Sequence, residues 1–213
     1  MGGMAPLIEN PRFARYFARY GARREAQGNA ELRAEMLAGL TGRVIEVGAG
    51  TGLNFRHYPE SVEVVAVEPE PTLRGKAQAA AIAAPVPVTV VDGVAADIPA
   101  EDGSADAVVV SGVLCSVADV PAALAEFRRV LKPLGELRFY EHVRSSHALR
   151  GRFQDLADPL WSRLMGGCRP NRDTLAALRA AGFHVERWRE FSFPYGARFS
   201  VVAPRVLGTA VAR

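Results

Sequence analysis

Residues 44–54 read VIEVGAGTGLN. An apolar run carries a carboxylate, Glu46, and then three glycines, Gly48, Gly50 and Gly52, alternate with Ala49 and Thr51. Glycine has no Cβ, so its backbone can take positive φ and a ligand can lie directly against it. In an open parallel sheet, ligands bind beyond the carboxyl ends of the strands, and this stretch is the first strand end in the chain. A dinucleotide-binding loop has the spacing GxGxxG. Counted from Gly48 and Gly50, the third position falls on Leu53, so the loop is GxGxG and lacks the small residue that brings a helix close to a pyrophosphate. A second acid, Glu68, closes the next strand about twenty residues on, where a carboxylate can accept both hydrogen bonds of a ribose diol. The pair fits a nucleoside with an unphosphorylated ribose, held without a strong phosphate cradle.

The surrounding pattern supports that placement. Val- and Ile-rich strand signals fall at 43–47, 62–68, 87–92, 105–112 and 136–143, with later strands at 183–191 and 205–212. Helical signals separate them. One spans 10–40, starting at the cap Asn10 with Pro11 in its first turn and broken at Gly21 and Gly28. Others cover 71–84, the stretch opened by Asp119 and Pro121 and stopped near Pro133 and Gly135, 148–164, and 171–181 with Gly182 as its C-cap. Strand-helix alternation with near-continuous apolar strands predicts a doubly wound α/β sheet of seven strands, covered on both faces. The turn-rich stretch 193–204 between the last two strands makes a pair, so an antiparallel C-terminal strand is expected on a mostly parallel sheet.

The bulk numbers suit a single domain of 213 residues, 49% hydrophobic and 23% charged. Residues 1–42 are expected as an N-terminal helical lid on a domain spanning 43–213, with a substrate-wall insertion at about 144–170. No apolar run reaches the ~18 residues that span a bilayer, and the N-terminus lacks a secretory pattern, so a soluble, cytoplasmic protein with no stable membrane anchor is expected. A net charge of +3 is too mild to argue for nucleic acid, although Arg12, Arg15, Arg19, Arg23 and Arg24 crowd the first helix. The two cysteines, Cys115 and Cys168, form no CxxC pair and have no histidine at metal-ligand spacing, so neither a disulfide nor a metal is expected.

Taken together, EVGAGTG (46–52) with Asn54, VAVEP (65–69), the stretch 93–117 and RRVLKPLGELRFYEHV (128–143) resemble the class I S-adenosylmethionine-dependent methyltransferases, whose fold is Rossmann-like. The resemblance implies that Gly48, Ala49, Gly50, Gly52 and Asn54 lie under the methionine part of S-adenosylmethionine, that Glu46 holds its ammonium or orders water beside it, and that Glu68, followed by Pro69, takes the ribose hydroxyls. It implies Val94 and Ala95 around the adenine, although many members have an acid where Val94 stands and Asp97 or a backbone carbonyl would have to replace it. Ser111 and Leu114 would lie near the methyl group. For Glu46 the competing reading is a buried ion pair; for Glu68, a plain loop carboxylate.

Within this class the runs GLNFRHYP (52–59), LCSV (114–117), EHV (141–143), DPLW (158–161) and GGC (166–168), with the chain end VLGTAVAR, are similar to the methyltransferase-like thiol S-methyltransferases. Those proteins methylate small hydrophobic thiols and carry an N-terminal membrane-anchoring stretch, which is not expected in this protein. A second similar group methylates quinone or lipid precursors, so a thiol, a phenol and an enolic carbon all stay open as acceptors. Methyl transfer from a sulfonium is an in-line displacement, and a hydroxyl or carbon acid would also need a general base. His142 stands at the right strand end for that role or as a loop anchor. Tyr16 and Tyr20, on the aromatic stripe with Phe13 and Phe17, are candidates for the acceptor pocket or for core packing. Asp158 and Trp161 are candidate handles in an insertion wall that Phe153, Leu156, Leu160 and Leu164 would line. The alternative from another class is a cofactor-binding module without catalysis, a partner subunit of an active enzyme.

Overall fold

A computed structural model describes residues 10–194, 197 and 200–212. The first nine residues of the expected lid lie outside the described residues, as do 195, 196, 198 and 199 of the late turn.

The N-terminal helices are α1 (Pro11–Arg24) and α2 (Ala30–Leu37). Asn10 caps α1 by accepting from the Phe13 N–H at 3.1 Å. Gly21 does not break it; the break falls at Gly28, whose φ of 103° no branched residue adopts comfortably. Seven strands follow: β1 (Gly42–Val47), β2 (Val62–Val67), β3 (Val88–Val91), β4 (Ala105–Ser111), β5 (Leu131–His142), β6 (Phe183–Ser192) and β7 (Pro204–Ala212). Between them lie α3 (Pro71–Ile82), α4 (Val120–Val130), α5 (Ala148–Leu164) and α6 (Thr174–Ala180). Carboxylates start three of these helices. Glu70, Asp119 and Asp173 accept from the N–H groups of Leu73, Ala122 and Ala176 at 2.7, 2.9 and 2.9 Å, which puts the start of α6 at Thr174, three residues later than its sequence pattern suggests.

The strand order is 3-2-1-4-5-7-6. β1 to β5 pair in parallel, and β7 runs antiparallel to both β5 and β6, the expected mixed sheet. The order reverses between β1 and β4, so the crevice for a ligand opens above their carboxyl ends. The KPLG segment bulges out of β5: Ala105 pairs with Leu131 and Ala107 with Glu136, and Leu134 takes φ 64° in between.

Alternation along the strands makes two cores. Ile45, Val47, Val108, Val110, Leu137 and Phe139 face α4 and α6 through Leu124, Phe127 and Leu178. Val44, Val64, Ala66, Val109 and Tyr140 face Met36 and Leu37 of α2 and Ala77 of α3. Phe127 is fully buried. Truncating such a ring removes its transfer free energy and leaves a cavity, so Phe127→Ala should destabilise the fold by about 3–5 kcal/mol in urea unfolding. A loss under about 1 kcal/mol would mean that α4 is not seated as described.

Candidate active site

The glycine loop is fixed from below. The Gly48 and Ala49 N–H groups donate to the Val67 carbonyl at 2.8 and 3.1 Å, so the end of β2 sets where the loop leaves β1. Gly50 has φ 60°, and a Cβ there would stand 3.1 Å from Phe17 Cε1 of α1. Helix α1 therefore crosses the bare backbone. Of its aromatic stripe, Phe17 meets Gly50 and Phe13 meets Gly166. Tyr16 stacks on Tyr20 and stays 47% exposed, and the Tyr20 hydroxyl accepts from Arg24.

Both acids of the first motif are buried. Glu68 accepts from the Gly50 N–H at 2.7 Å and from the Glu70 N–H at 3.0 Å, joining the β2 end to the loop it faces. Burial nevertheless pushes its carboxyl up to about 7. Arg74 holds the same turn by donating to the Glu68 and Pro69 carbonyls and to Asp92. Glu46 accepts from Asn54 Nδ2 at 2.9 Å and from the Tyr58 hydroxyl at 2.8 Å. Burial pushes it, too, up to about 7. Its described hydrogen-bond partners are both neutral, so the salt bridge considered for it is not what fixes it.

The nearest cation acts at one remove. Arg33 of α2 donates to Asn54 Oδ1 at 2.6 Å and Ser111 Oγ at 3.3 Å, and its Nε donates to Glu25 at 2.8 Å. One guanidinium thus ties two expected site residues, on different strand ends, to the turn between α1 and α2. Asn29 in that turn donates to Glu25 and accepts from the Tyr140 hydroxyl. Arg33, Glu25 and Tyr58 were not legible as site residues. Tyr58 lies inside the run GLNFRHYP, but no local signal points Arg33 at a loop 21 residues away.

Val94 and Ala95 sit half-buried in a small turn closed by the Asp97 N–H donating to the Val94 carbonyl, with Asp97 exposed. Leu114 is buried in the core. Its N–H and those of Val113 and Cys115 all donate to the buried Glu141 carboxylate at 2.8–3.2 Å. Glu141 thereby fixes the loop after β4, and its neighbour His142 reaches a different set of atoms. His142 Nδ1 lies 3.2 Å from Cys115 Sγ and 3.5 Å from Cys168 Sγ, and the two sulfurs are 3.7 Å apart. The fold supplies the histidine partner that sequence spacing did not. Burial keeps His142 below its ordinary value. Contact with Cys168, and then burial, pushes the Cys115 thiol up to about 12, and the same contact lowers Cys168.

The insertion helix α5 is turned round relative to expectation. Leu156, Leu160 and Leu164 are 82, 67 and 64% exposed, and Phe153 and Leu149 are exposed as well, so they do not line a pocket. The inward face is polar. The Gln154 amide nitrogen lies 2.8–3.1 Å from the Val143, Pro170 and Val201 carbonyls, which share its two N–H groups, and its oxygen accepts from the Ser145 N–H at 2.7 Å. Asp158 is buried and accepts from Arg169 at 3.0 Å. Trp161, with Ala157 and Met165, packs over Cys115, Cys168, Val201 and Val202.

The glycine loop and the strand-end acid meet where the order of a mixed seven-stranded sheet reverses, the place at which a Rossmann-like fold takes its ligand. A methyltransferase-domain family profile matches residues 45–139. Human thiol S-methyltransferase TMT1A is 34% identical over 181 residues, 82% of this chain and 73% of that protein, and human thiol S-methyltransferase TMT1B is 34% identical over 185 residues with the same coverage. Among solved structures, a possible histamine N-methyltransferase from Thermotoga maritima superposes with a TM-score of 0.68 at 23% identity, over 95% of this chain and 99% of that one. The chain belongs to the class I S-adenosylmethionine-dependent methyltransferases, in the group that contains the thiol S-methyltransferases. Its methyl donor is S-adenosylmethionine, and it is an enzyme. No helix among the described residues is long and apolar enough to cross a membrane.

Proposed function

We propose that the acceptor is a small hydrophobic thiol, converted to its methyl thioether. The observation that carries this reading is convergence. LCSV, EHV and the segment from DPLW to GGC lie apart in sequence, yet Cys115, His142, Trp161 and Cys168 meet in one apolar patch at the strand ends beside the crevice. The relatives with 34% identity are named as thiol S-methyltransferases. Two unpaired cysteines suit a reducing cytoplasm.

The residues present suit the donor. The loop backbone at Gly50 has no Cβ, and the buried Glu46, with neutral partners, is a counter-charge for an ammonium group. In this reading Glu68 takes the ribose diol beside Pro69, Asn54 and Ser111 are held by Arg33, and Val94 and Ala95 frame the base. Bound S-adenosylmethionine supplies an electrophilic sulfonium methyl. The protein's part is to close α1 and α2 over the loop, exclude water and hold the acceptor sulfur in line. A general base at His142 is hard to sustain through Nδ1, which is already committed to two thiols.

The test is a panel of small alkyl and aryl thiols and their matched phenols, incubated with methyl-labelled donor and read by mass spectrometry. Thioether formation is expected; transfer only to phenols, or to none of them, overturns the reading. A pH dependence follows from the two acids. In the free enzyme both titrate near 7, while the diol and ammonium favour the ionised carboxylates. Below pH 7 a proton must leave as the donor binds, so affinity should weaken by about tenfold per pH unit for each coupled group. Calorimetry at pH 6, 7 and 8 in buffers of different ionisation enthalpy measures both the affinity and the released proton. An affinity constant across that range would remove these two acids from the donor site.

A further inference from the structure

Cys115 comes from the loop after β4, His142 from the end of β5 and Cys168 from the turn after α5. Their donor atoms all lie within 4.8 Å of one another. The triangle has sides of 3.7 Å between the sulfurs and 3.2 and 3.5 Å from each sulfur to Nδ1. A tetrahedral zinc ion, with bonds of ~2.3 Å to sulfur and ~2.0–2.1 Å to nitrogen, would hold its sulfurs roughly 3.8 Å apart and each sulfur roughly 3.6 Å from the nitrogen. The chain holds nearly that triangle through unrelated contacts: Glu141 fixes the Cys115 backbone, and the Arg169 N–H donates to the Cys115 carbonyl at 2.7 Å. A disulfide would need the sulfurs at ~2.05 Å, much closer than they stand.

Two thiolates and an imidazole form a soft donor set that favours zinc over hard cations. Three protein ligands leave one tetrahedral position for another group, as catalytic zinc sites do and closed structural sites do not. Ala157, Trp161 and Met165 pack around the sulfurs and make their surround apolar.

We propose that Cys115, His142 and Cys168 bind one zinc ion and that its open position takes the sulfur of the acceptor. The second half rests on the thiol reading above. Coordination replaces the acceptor's S–H bond by a Zn–S bond and releases the proton to solvent. The bound sulfur then forms its bond to the methyl carbon as the sulfonium C–S bond breaks, and the electron pair of that bond stays on the donor's sulfur. His142 is then a ligand, and no general base is needed.

The test starts from full-length protein, reduced with a phosphine, stripped with a chelator and titrated with Zn²⁺ against a chromophoric competitor. One equivalent per chain is expected, with affinity falling at least about 100-fold in Cys115→Ser, Cys168→Ser and His142→Ala. Binding well below one equivalent, or full binding by the Cys115→Ser/Cys168→Ser double variant, overturns the site. Because these buried changes can unfold the chain, Co²⁺ is added to the unsubstituted protein as well. Intense tetrahedral visible bands with a thiolate charge-transfer band support the site; a weak octahedral spectrum overturns it. A small alkanethiol should change the Co²⁺ spectrum, and an unchanged one removes the acceptor role. Thiol methylation by protein that binds no metal sinks this inference alone; metal binding without thiol methylation sinks the thiol reading, and the acceptor role with it, and leaves the zinc site standing.

Discussion

Gly50→Val should leave no measurable heat of S-adenosylmethionine binding. Gly50 holds φ 60°, a conformation that a β-branched residue adopts only under strain, and a Cβ there would stand 3.1 Å from Phe17 Cε1. A valine there puts two methyl groups into the space that a ligand needs against the loop. The backbone strain should also cost about 1–3 kcal/mol of stability, so the variant must be shown to melt cooperatively before its binding is read. Gly50→Val with Phe17→Ala separates the two effects. Removing the ring relieves the clash with α1 but leaves the methyl groups on the loop, so stability should partly return and binding should not. Near-normal affinity in a folded Gly50→Val protein would take the glycine loop out of the donor site.

Glu68→Ala should weaken the donor by about 1.5–3 kcal/mol, the worth of hydrogen bonds to a charged acceptor, or roughly 10- to 150-fold in Kd. The carboxylate also accepts from the Gly50 N–H, so the substitution orphans a donor of the loop as well. Glu68→Gln distinguishes the contributions. It keeps an oxygen for the Gly50 N–H, but an amide accepts the diol less well and does not titrate. Its affinity should therefore lie between those of the other two proteins and lose part of the pH dependence near 7. If Glu68→Gln binds like the unsubstituted protein at every pH, Glu68 is a loop brace and the ribose lies elsewhere.

The fold was largely legible because its signals are local and redundant. Near-continuous Val and Ile runs such as 107–110 belong to strands buried on both faces, and Asp119 and Pro121 mark the start of α4 within a residue. Glu46 and Glu68 stood out for a related reason, as carboxylates set in the ends of apolar strands, and the structure buries both. The sequence was silent where the answer depended on distance along the chain. Arg33 reaches Asn54 across 21 residues and Ser111 across 78, and Cys115 meets Cys168 across 53. No short motif records such meetings. On α5 the spacing of Phe153, Leu156, Leu160 and Leu164 correctly says that they share a stripe. Periodicity alone cannot say whether that stripe meets the body or the solvent, and the polar contacts of Gln154 turn it outward. The break between α1 and α2 sits at Gly28 and not Gly21, because only Gly28 takes a left-handed conformation.

Gln154 has a practical consequence for handling the protein. Helix α5 is held on its inner side by Gln154, Asp158 and Trp161, so its outer leucines are open to redesign. Exchanging Leu156, Leu160 and Leu164 together for glutamate, lysine and glutamine should shift the unfolding free energy by no more than about 0.5 kcal/mol per site. The same exchange should raise the concentration at which the protein stays clear in low-salt buffer, giving a better-behaved sample for crystallisation with ligands.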